Sequence, residues 1–231
     1  MKIFTDPRLL QHGFIAGTLS KQEGPMNTAD RQSEIFTRLG IDPSKILHLH
    51  QTHSDVLFSF NDADQCRSFR TQPLQDGDGW IFAPAPCAWG AAIVTADCVP
   101  LFVWATDASA WGLSHCGWRG VAAQLPFKTV HALQARTKAP LCVWAGPHIQ
   151  SCCFEVQEDT ARQFPPQTHQ RRGTKMFVDL NAAIRLQLLQ AGLSPQNIRF
   201  SDQCTCCQPA DFFSWRREHK REMLLSFIYK P

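Results

Sequence analysis

A cysteine and a histidine, two residue types that commonly bind metal ions, lie close together in the sequence as Cys98 and His115. Residues 93–104 form a nearly unbroken apolar run, which predicts a buried strand, and residues 111–114 predict a second short strand after a polar turn. If the two strands pair antiparallel, Pro100 faces His115, and Cys98 is a diagonal neighbour on the same face at about 7–8 Å between backbones. A thiolate and an imidazole at this separation can share a tetrahedral ion, with bonds of about 2.3 Å and 2.0–2.1 Å. Cys98 and His115 are therefore candidate metal ligands.

His115 opens a short motif with the sequence His-Cys-Gly-Trp-Arg-Gly. Its two glycines predict a tight exit from the strand, where the backbone passes close to another group. The motif follows Thr95-Ala-Asp-Cys98 and an apolar run, and the two stretches together resemble the TADC and HAGWRG pair of the multicopper polyphenol oxidase, or laccase-like, family. This YfiH-like family is usually described as zinc-dependent purine nucleoside phosphorylases with adenosine deaminase activity. Cys116 stands where the family usually has alanine.

The segment 46–53 contains three histidines and predicts a strand with His48 and His50 on one face. On the residues alone, the three histidines could simply line the end of that strand. The family's Gln-x-His motif corresponds to the stretch that ends at His53, so the resemblance implies that His53 is the third metal ligand. His48 and His50 are expected to be structural or to support the ligands.

The resemblance extends from about residue 46 to the end of the chain. Further matching stretches are Gly146-Pro147, Phe154-Glu155-Val156, the Asp-x-Cys-Thr sequence of 202–205 and the Phe-Phe-Ser-Trp-Arg-Arg-Glu sequence of 212–218. Two segments depart from the family pattern. Residues 15–27 replace its Arg-Gly-Gly-Val-Ser and Ser-Leu-Asn-Leu-Gly stretches, and the Lys-Arg-Glu sequence of 220–222 replaces its Thr-Gly-Arg.

The implied ligand set predicts the type of chemistry. One thiolate and two imidazoles leave a fourth position on zinc free, which is typical of catalytic sites. Zinc lowers the pKa of a bound water to about 7, which makes that water a nucleophile at neutral pH. The expected nucleophile is therefore metal-bound water in one reaction and phosphate in the other. Attack on C6 of adenosine gives inosine and ammonia, whereas phosphorolysis requires phosphate to be held against the ribose C1′ of a purine nucleoside.

Three basic side chains, Arg119, Arg216 and Arg217, are the ones we expect to bind that phosphate through forked hydrogen bonds. For Arg216 and Arg217, a solvated strand end paired with Glu218 is an equally good interpretation.

Other functions use the same residue types. Cysteine with two histidines is also a blue-copper ligand set, which favours a copper-dependent polyphenol oxidase. Electron transfer through several copper ions, however, needs more histidines than the nine of this chain. A metal-free cysteine hydrolase would use Cys98 as nucleophile and His115 or His53 as base. A non-enzymatic binding protein is the remaining hypothesis, favoured if the altered segments have abolished substrate binding.

Length and composition limit the classes of protein to consider. The 231 residues predict one domain spanning 1–231, and a net charge of +3 is too small to favour nucleic acid or a membrane as partner. No apolar run is long enough for a signal peptide or a membrane span. Ten cysteines without a secretion signal predict free thiols and a reducing, cytoplasmic location. We expect a monomer or small homo-oligomer that binds a purine nucleoside and phosphate.

Five of the cysteines form two groups in the sequence, Cys152 with Cys153, and Cys204 with Cys206 and Cys207. Adjacent residues of a strand point to opposite sides, so the first pair is interpreted as small buried thiols. A zinc site at the second group would need a matching pair elsewhere, and none is evident from the sequence.

Short strands outnumber helices and their order is irregular, which predicts an α+β fold, a largely mixed or antiparallel sheet sandwich flanked by helices. The family implies the same architecture, a CNF1/YfiH-like fold. Helices are expected to end near Leu39 and to span 126–136, and strands are expected at 141–145 and 224–228. Asp78, in an Asp-Gly-Asp-Gly string, is interpreted as part of a structural turn near the site.

Overall fold

Two β-sheets packed face to face form the centre of the molecule. The structure is a computed structural model that describes residues 1–231. The fourteen strands are β1 Ile3–Phe4, β2 Ile15–Leu19, β3 Ile46–Leu47, β4 Leu57–Phe60, β5 Gly79–Phe82, β6 Trp89–Thr95, β7 Val99–Ala105, β8 Trp111–Cys116, β9 Leu141–Ala145, β10 Glu155–Val156, β11 His169–Arg172, β12 Lys175–Val178, β13 Ile198–Phe200 and β14 Leu224–Lys230. The eight α-helices are α1 Pro7–Gln11, α2 Ala29–Arg38, α3 Ala63–Arg70, α4 Trp118–Ala122, α5 Leu125–Gln134, α6 Glu158–Ala161, α7 Leu180–Gln190 and α8 Trp215–Glu218.

The strands form three sheets, and the predicted α+β class is confirmed. One sheet has five strands in the order β1-β2-β14-β6-β3, and another has six in the order β13-β9-β7-β8-β5-β4. Both are mostly antiparallel, with parallel pairs only at β3–β6, β4–β5 and β9–β13. The third sheet is small, with the order β10-β12-β11.

Side chains that alternate along β7 show how the layers are filled. Leu101 and Val103 belong to the hydrophobic cluster that includes α5 and α7. Phe102 and Trp104 belong to the cluster between the two large sheets, because successive side chains of a strand point to opposite faces. Helix α2 covers the other face of the five-stranded sheet. The molecule is therefore a sheet sandwich with helices on both outer faces, as expected.

The expectation of one buried strand over 93–104 is wrong, because the segment belongs to two strands in different sheets. β6 ends at Thr95 in the five-stranded sheet, and β7 begins at Val99 in the six-stranded sheet. Between them Asp97 takes a left-handed backbone conformation with φ of +85°, which turns the chain from one sheet to the other. The predicted pairing of β7 with β8 is confirmed, with Pro100 opposite His115.

The strand expected over 46–53 is also shorter than predicted. Only Ile46–Leu47 pairs with β6, and the polar residues that follow leave the sheet. Residues 28–39 and 126–136 form the expected helices within one or two residues at each end, as α2 and α5. Helix α4, directly after the glycine of the predicted tight strand exit, was not predicted as a separate element.

The first and last long strands meet in one sheet, because β14 lies between β2 and β6. Ser226 and Thr18 are directly opposite each other in this pairing, and their hydroxyls form a buried hydrogen bond of 2.8 Å.

None of the helices combines the length and apolar character needed to cross a membrane.

Helix α1 provides a test of this packing, because it carries one buried and one exposed leucine next to each other. Leu9 is fully buried in the core between the sheets, whereas Leu10 is 72% exposed. We expect Leu9→Ala to lower the free energy of unfolding by about 2–5 kcal/mol, through lost burial and the cavity left behind. Leu10→Ala, the matched control, should change it by less than about 0.5 kcal/mol. Urea unfolding of both variants measures the difference, and equal losses would contradict the layer arrangement.

Candidate metal centre

The three residues proposed as metal ligands come together although they lie on three separate segments. One donor atom each from His53, Cys98 and His115 lies within 4.8 Å of the other two. The Sγ atom of Cys98 is 3.7 Å from Nε2 of His53, and the two imidazole rings meet edge to face with centroids 4.8 Å apart. A tetrahedral ion with zinc–sulfur and zinc–nitrogen bonds of usual length holds such donors about 3.6 Å apart. The donor set therefore fits a thiophilic divalent cation.

A buried carboxylate, that of Asp78, orients both histidines. Nδ1 of His115 donates to Asp78 Oδ1 at 2.7 Å, which directs Nε2 of the ring away from the carboxylate. The same carboxylate accepts backbone N–H bonds from Thr52, His53 and Ser54 at 3.2, 3.1 and 2.6 Å. Asp78 was expected to belong to a structural turn near the site. It is instead fully buried and acts as an outer partner of the ligands.

Glycine at 117 leaves room for the close approach of His53 and Cys98, two of the candidate ligands. A Cβ atom at this position would lie 2.6 Å from Cδ2 of His53 and 3.3 Å from the Cys98 sulfur. His53 itself adopts a left-handed conformation with φ of +60°, which is uncommon for a residue other than glycine. The glycine of the sequence motif thus makes room for a ligand from another segment.

The electrostatics of the three residues favour a thiolate at Cys98 paired with a protonated imidazole at His115, so a bound metal ion would have to displace the proton of His115. Burial opposes ionisation of Cys98, but the charge on His115 and hydrogen bonds from His115 and His53 outweigh it and lower the thiol pKa to about 6. Burial also opposes protonation of His115, but the Cys98 thiolate and the Asp78 carboxylate raise its pKa to about 9. The hydrogen bonds from His115 and Ser54 outweigh burial at Asp78 and hold its pKa well below the usual value. Cys98 is therefore ready to act as a thiolate at neutral pH.

Asp97, next to the cysteine ligand, anchors the crossing between the sheets. Its carboxylate accepts hydroxyl hydrogen bonds from Thr205 at 2.5 Å and Ser214 at 3.0 Å, and a backbone N–H from Arg216 at 2.7 Å. These partners compensate for the burial of the charge. The carboxylate thus fixes the position of Cys98 relative to the C-terminal part of the chain.

The three candidate ligands line a cleft of about 990 Å³, a size typical of small-molecule sites. The wall of the cleft combines aromatic side chains, basic side chains and amides: Trp118, Phe154, Trp215, Arg119, Arg216, Arg221, Asn27, Gln32 and Gln51. Two of the three arginines expected to bind substrate, Arg119 and Arg216, are thus among the lining residues.

Arg217 is not among the lining residues of the cleft. Its guanidinium donates to the backbone carbonyls of Thr205, Cys206 and Phe212 at 2.7–2.8 Å, and to the carboxylate of Glu218. In this position Arg217 holds the preceding loop together. The pairing with Glu218 agrees with the second interpretation of the sequence, but the two residues lie in helix α8 rather than at a strand end.

Several residues of the site were missed in the sequence. Arg221 lies in the segment that departs from the family pattern, yet it lines the cleft together with Trp118 and Trp215. Gln51 binds the edge of β6 through both atoms of its amide, to the backbone N–H and carbonyl of Val94. A signal for Gln51 was available, because it opens the motif that ends at His53.

The interpretation of Cys152 and Cys153 as small buried thiols is wrong. Residues 151–153 form a turn rather than a strand, so the adjacent Cys152 and Cys153 both approach Cys204 and Cys207. Cys152 and Cys207 are exposed, and Cys204 is buried. The matching second pair that the sequence did not reveal is therefore supplied by the fold. Cys204 and Cys207 are also separated by two residues, which is a Cys-x-x-Cys spacing.

Comparison with known proteins identifies similar chains. Residues 16–229 match the family described as multi-copper polyphenol oxidoreductase laccase. The purine nucleoside phosphorylase YlmD of Geobacillus stearothermophilus is 37% identical over 149 residues, which cover 59% of this chain and 54% of that protein. The purine nucleoside phosphorylase of Xylella fastidiosa (strain Temecula1) is 31% identical over 209 residues, 86% of this chain and 76% of that protein.

Two further similarities concern activity and fold. The adenosine deaminase RL5 of an unknown prokaryotic organism is 28% identical over 208 residues, 83% of this chain and 77% of that protein. The crystal structure of YlmD from Geobacillus stearothermophilus superposes with a TM-score of 0.85 at 26% identity, covering 97% of this chain and 94% of that one. The two chains therefore share their fold over nearly their whole lengths.

The role of Asp78 can be tested against a neighbouring aspartate that makes the same kind of bond. Asp78→Asn should weaken binding of added Zn²⁺ by about 10–100-fold, because an amide holds the His115 ring less firmly than a carboxylate does. Asp76→Asn is the matched control, since Asp76 Oδ1 also lies 2.7 Å from a histidine Nδ1, that of the exposed His50. Competition with a chromogenic chelator measures both affinities. Equal affinities in the two variants would rule out the orienting role.

Proposed function

The chain belongs to the multi-copper polyphenol oxidoreductase laccase family, and on that basis we propose that it is a zinc-dependent purine nucleoside phosphorylase with adenosine deaminase activity. One observation carries the proposal: a thiol and two imidazoles gather beside a cleft lined by aromatic and basic side chains. The relatives named for phosphorylase and deaminase activity support it. The reaction partners are a purine nucleoside and phosphate.

In this proposal His53, Cys98 and His115 hold the zinc ion. When bound, zinc supplies Lewis acidity and lowers the pKa of the attacking nucleophile. The residues of the chain orient and shield the reacting groups. Asp78 fixes the tautomer and direction of the His115 ring, and its bonds to the backbone hold His53 in place.

Arg119 and Arg216 bind the phosphate. The guanidinium of Arg119 lies over the Trp118 ring, 4.6 Å from its centroid, so its edge stays available for hydrogen bonds. Arg216 uses one N–H for the carbonyl of Cys153, at 2.9 Å, and a guanidinium carries five such donors. Arg217 was expected to bind the phosphate as well, and its bonds to backbone carbonyls support a bracing role instead.

The purine base lies against the aromatic wall of the cleft. Trp118 and Trp215 offer flat apolar faces, and Trp215 is 49% exposed, so a bound base would remove its ring from water. Asn27 and Gln32 add amide groups that can bond to the polar edge of a base. This distribution suits a nucleoside, which has one flat aromatic part and one polar part.

A copper-dependent polyphenol oxidase is the second candidate, and the description of the family favours it. Two imidazoles and a thiolate are also suitable ligands for copper. Among the nine histidines, only His53 and His115 share a metal-capable cluster, which leaves no clustered histidines for the additional copper ions of a multicopper site. This count favours the single-ion hydrolytic and phosphorolytic chemistry.

Two further expectations belong to the same proposal. The 231 residues act as one catalytic domain, supported by the pairing of β14 with β2 and by a family match over residues 16–229. The enzyme works in the cytoplasm, supported by its ten cysteines, all of them free thiols that suit a reducing compartment.

Incubation with adenosine tests the proposed activity. With phosphate we expect adenine and ribose 1-phosphate, and without phosphate inosine and ammonia, both identified by chromatography. Cys98→Ala should abolish both reactions together with binding of the zinc ion held by His53, Cys98 and His115, because it removes the only thiolate ligand of that ion. A hydrolase without a metal at this site would have the same zinc content before and after the Cys98→Ala substitution. Copper in the purified protein with oxidation of a phenol, and no products from adenosine, would favour the second candidate.

Arg119→Ala should separate the two reactions. Loss of one charge-assisted hydrogen bond to phosphate, worth about 1.5–3 kcal/mol, lowers kcat/KM for phosphorolysis by about 10–100-fold. Deamination needs no phosphate and should change by less than about twofold, since the chemistry at C6 is kept. Arg136→Ala is the control, because Arg136 is equally exposed but its guanidinium bonds only to the end of α5. A parallel fall of both reactions would contradict the assignment of Arg119 to phosphate.

A further inference from the structure

We propose that Cys152, Cys153, Cys204 and Cys207 form a second metal site that binds a structural zinc ion. The four thiols are the other group of side chains in the molecule whose donor atoms lie within 4.8 Å of one another. The inference is independent of the proposed function, because none of these residues lines the cleft.

The distances between the sulfur atoms match a four-thiolate site. Cys152 Sγ lies 3.5 Å from Cys204 Sγ and 3.6 Å from Cys207 Sγ, and Cys153 Sγ lies 3.2 Å from Cys207 Sγ. Four sulfur atoms around a tetrahedral zinc ion, each about 2.3 Å from the metal, are about 3.8 Å apart. A shift of a few tenths of an ångström is enough to admit the ion. Such a site has no free position, which is typical of structural rather than catalytic zinc.

The backbone supports a thiolate at Cys204. Burial raises the pKa of this thiol, but backbone N–H groups of Gln150 and Cys207 outweigh it and lower the pKa. The Gln150 nitrogen lies 3.5 Å from Sγ. Cys-x-x-Cys pairs of zinc sites use N–H groups in the same way to hold sulfur as an anion.

Basic residues around the cluster offset the charge that four thiolates would bring. Arg172 donates to the carbonyl of Cys152 at 3.3 Å, Arg216 to that of Cys153 at 2.9 Å and Arg217 to that of Cys206 at 2.8 Å. Four thiolates and one Zn²⁺ carry a net charge of −2, which Arg172 and Arg216 offset from the backbone side, since the charge of Arg217 is already paired with Glu218. The surroundings therefore suit the metal-bound cluster better than four neutral thiols.

A disulfide explains the arrangement less well. A disulfide joins two sulfur atoms at about 2.05 Å and would leave the remaining pair of thiols without a reason for their position. All ten cysteines are free in the structure. The ion instead explains why four thiols from two distant segments converge, and it would join the loop at 150–154 to the loop at 204–207.

Zinc analysis in a background that lacks the first site tests this proposal. Cys98→Ala, purified under reducing conditions without added metal, should retain one zinc ion per chain by plasma mass spectrometry. Adding Cys207→Ser should remove that ion, because it deletes one of the four ligands. Adding Cys87→Ser should not, since Cys87 is an exposed thiol outside both clusters. Circular dichroism confirms that each variant is folded.

Two further measurements decide among the outcomes. Reconstitution of Cys98→Ala with Co²⁺ should give thiolate-to-metal charge-transfer absorption, and Cys207→Ser or Cys152→Ser should abolish it. A Cys98→Ala protein that contains no zinc and in which all remaining thiols can be titrated would overturn the proposal. So would a protein in which two thiols can be titrated only after a reductant is added, because this result would indicate a disulfide. The zinc content of Cys98→Ala does not depend on whether the protein acts on adenosine. Failure of the second-site proposal can therefore be distinguished from failure of the proposed function.

Discussion

The buried carboxylate of Asp78 is the constraint on which the arrangement of the site depends. A carboxylate without contact with water is costly unless its oxygens are fully paired. Asp78 meets this demand with the His115 ring, with the backbone of residues 52–54 and with the Ser54 hydroxyl, at 2.7 Å. One charge therefore holds two histidines that are 62 positions apart in the chain. The left-handed conformation of His53 persists because these bonds hold its neighbours on both sides.

The sheet pairing places this carboxylate where it is needed. β5 and β8 pair antiparallel with Gly79 opposite Ser114, and the backbone N–H of His115 donates to the carbonyl of Asp78 at 2.7 Å. The side-chain and main-chain bonds between the same two residues thus reinforce each other. Binding of a metal ion by His115 would therefore be linked to the stability of the β5–β8 pairing, because both require the contact of Asp78 with His115.

The sequence predicts the parts of this site that depend on local patterns. Alternation along two strands and one turn is enough to place Pro100 opposite His115, and the motif around Gly117 indicates a close backbone approach. The division of 93–104 between two sheets has only a weak local signal, the polar residues Thr95 and Asp97 at the point of division, because each half of the run suits a buried strand. What turns the chain at Asp97 is a set of hydroxyl and N–H partners more than a hundred residues away. The cluster of four cysteines is hidden for the same reason, because its two halves are 51 residues apart at their nearest.

The C-terminal segment 204–217 connects the two clusters of metal-binding side chains. It carries two of the four clustered cysteines, and through Thr205 and the backbone of Arg216 it also binds the carboxylate of Asp97, the residue before the Cys98 ligand. Arg217 fixes the same segment internally through three backbone carbonyls. A ligand on a crossing between sheets has few ladder bonds of its own, so its position depends on such contacts. A zinc ion with all four positions filled by the cysteine cluster would stiffen this segment from outside the cleft. The stiffer segment would keep the Cys98 sulfur in place and leave the cleft free for a substrate.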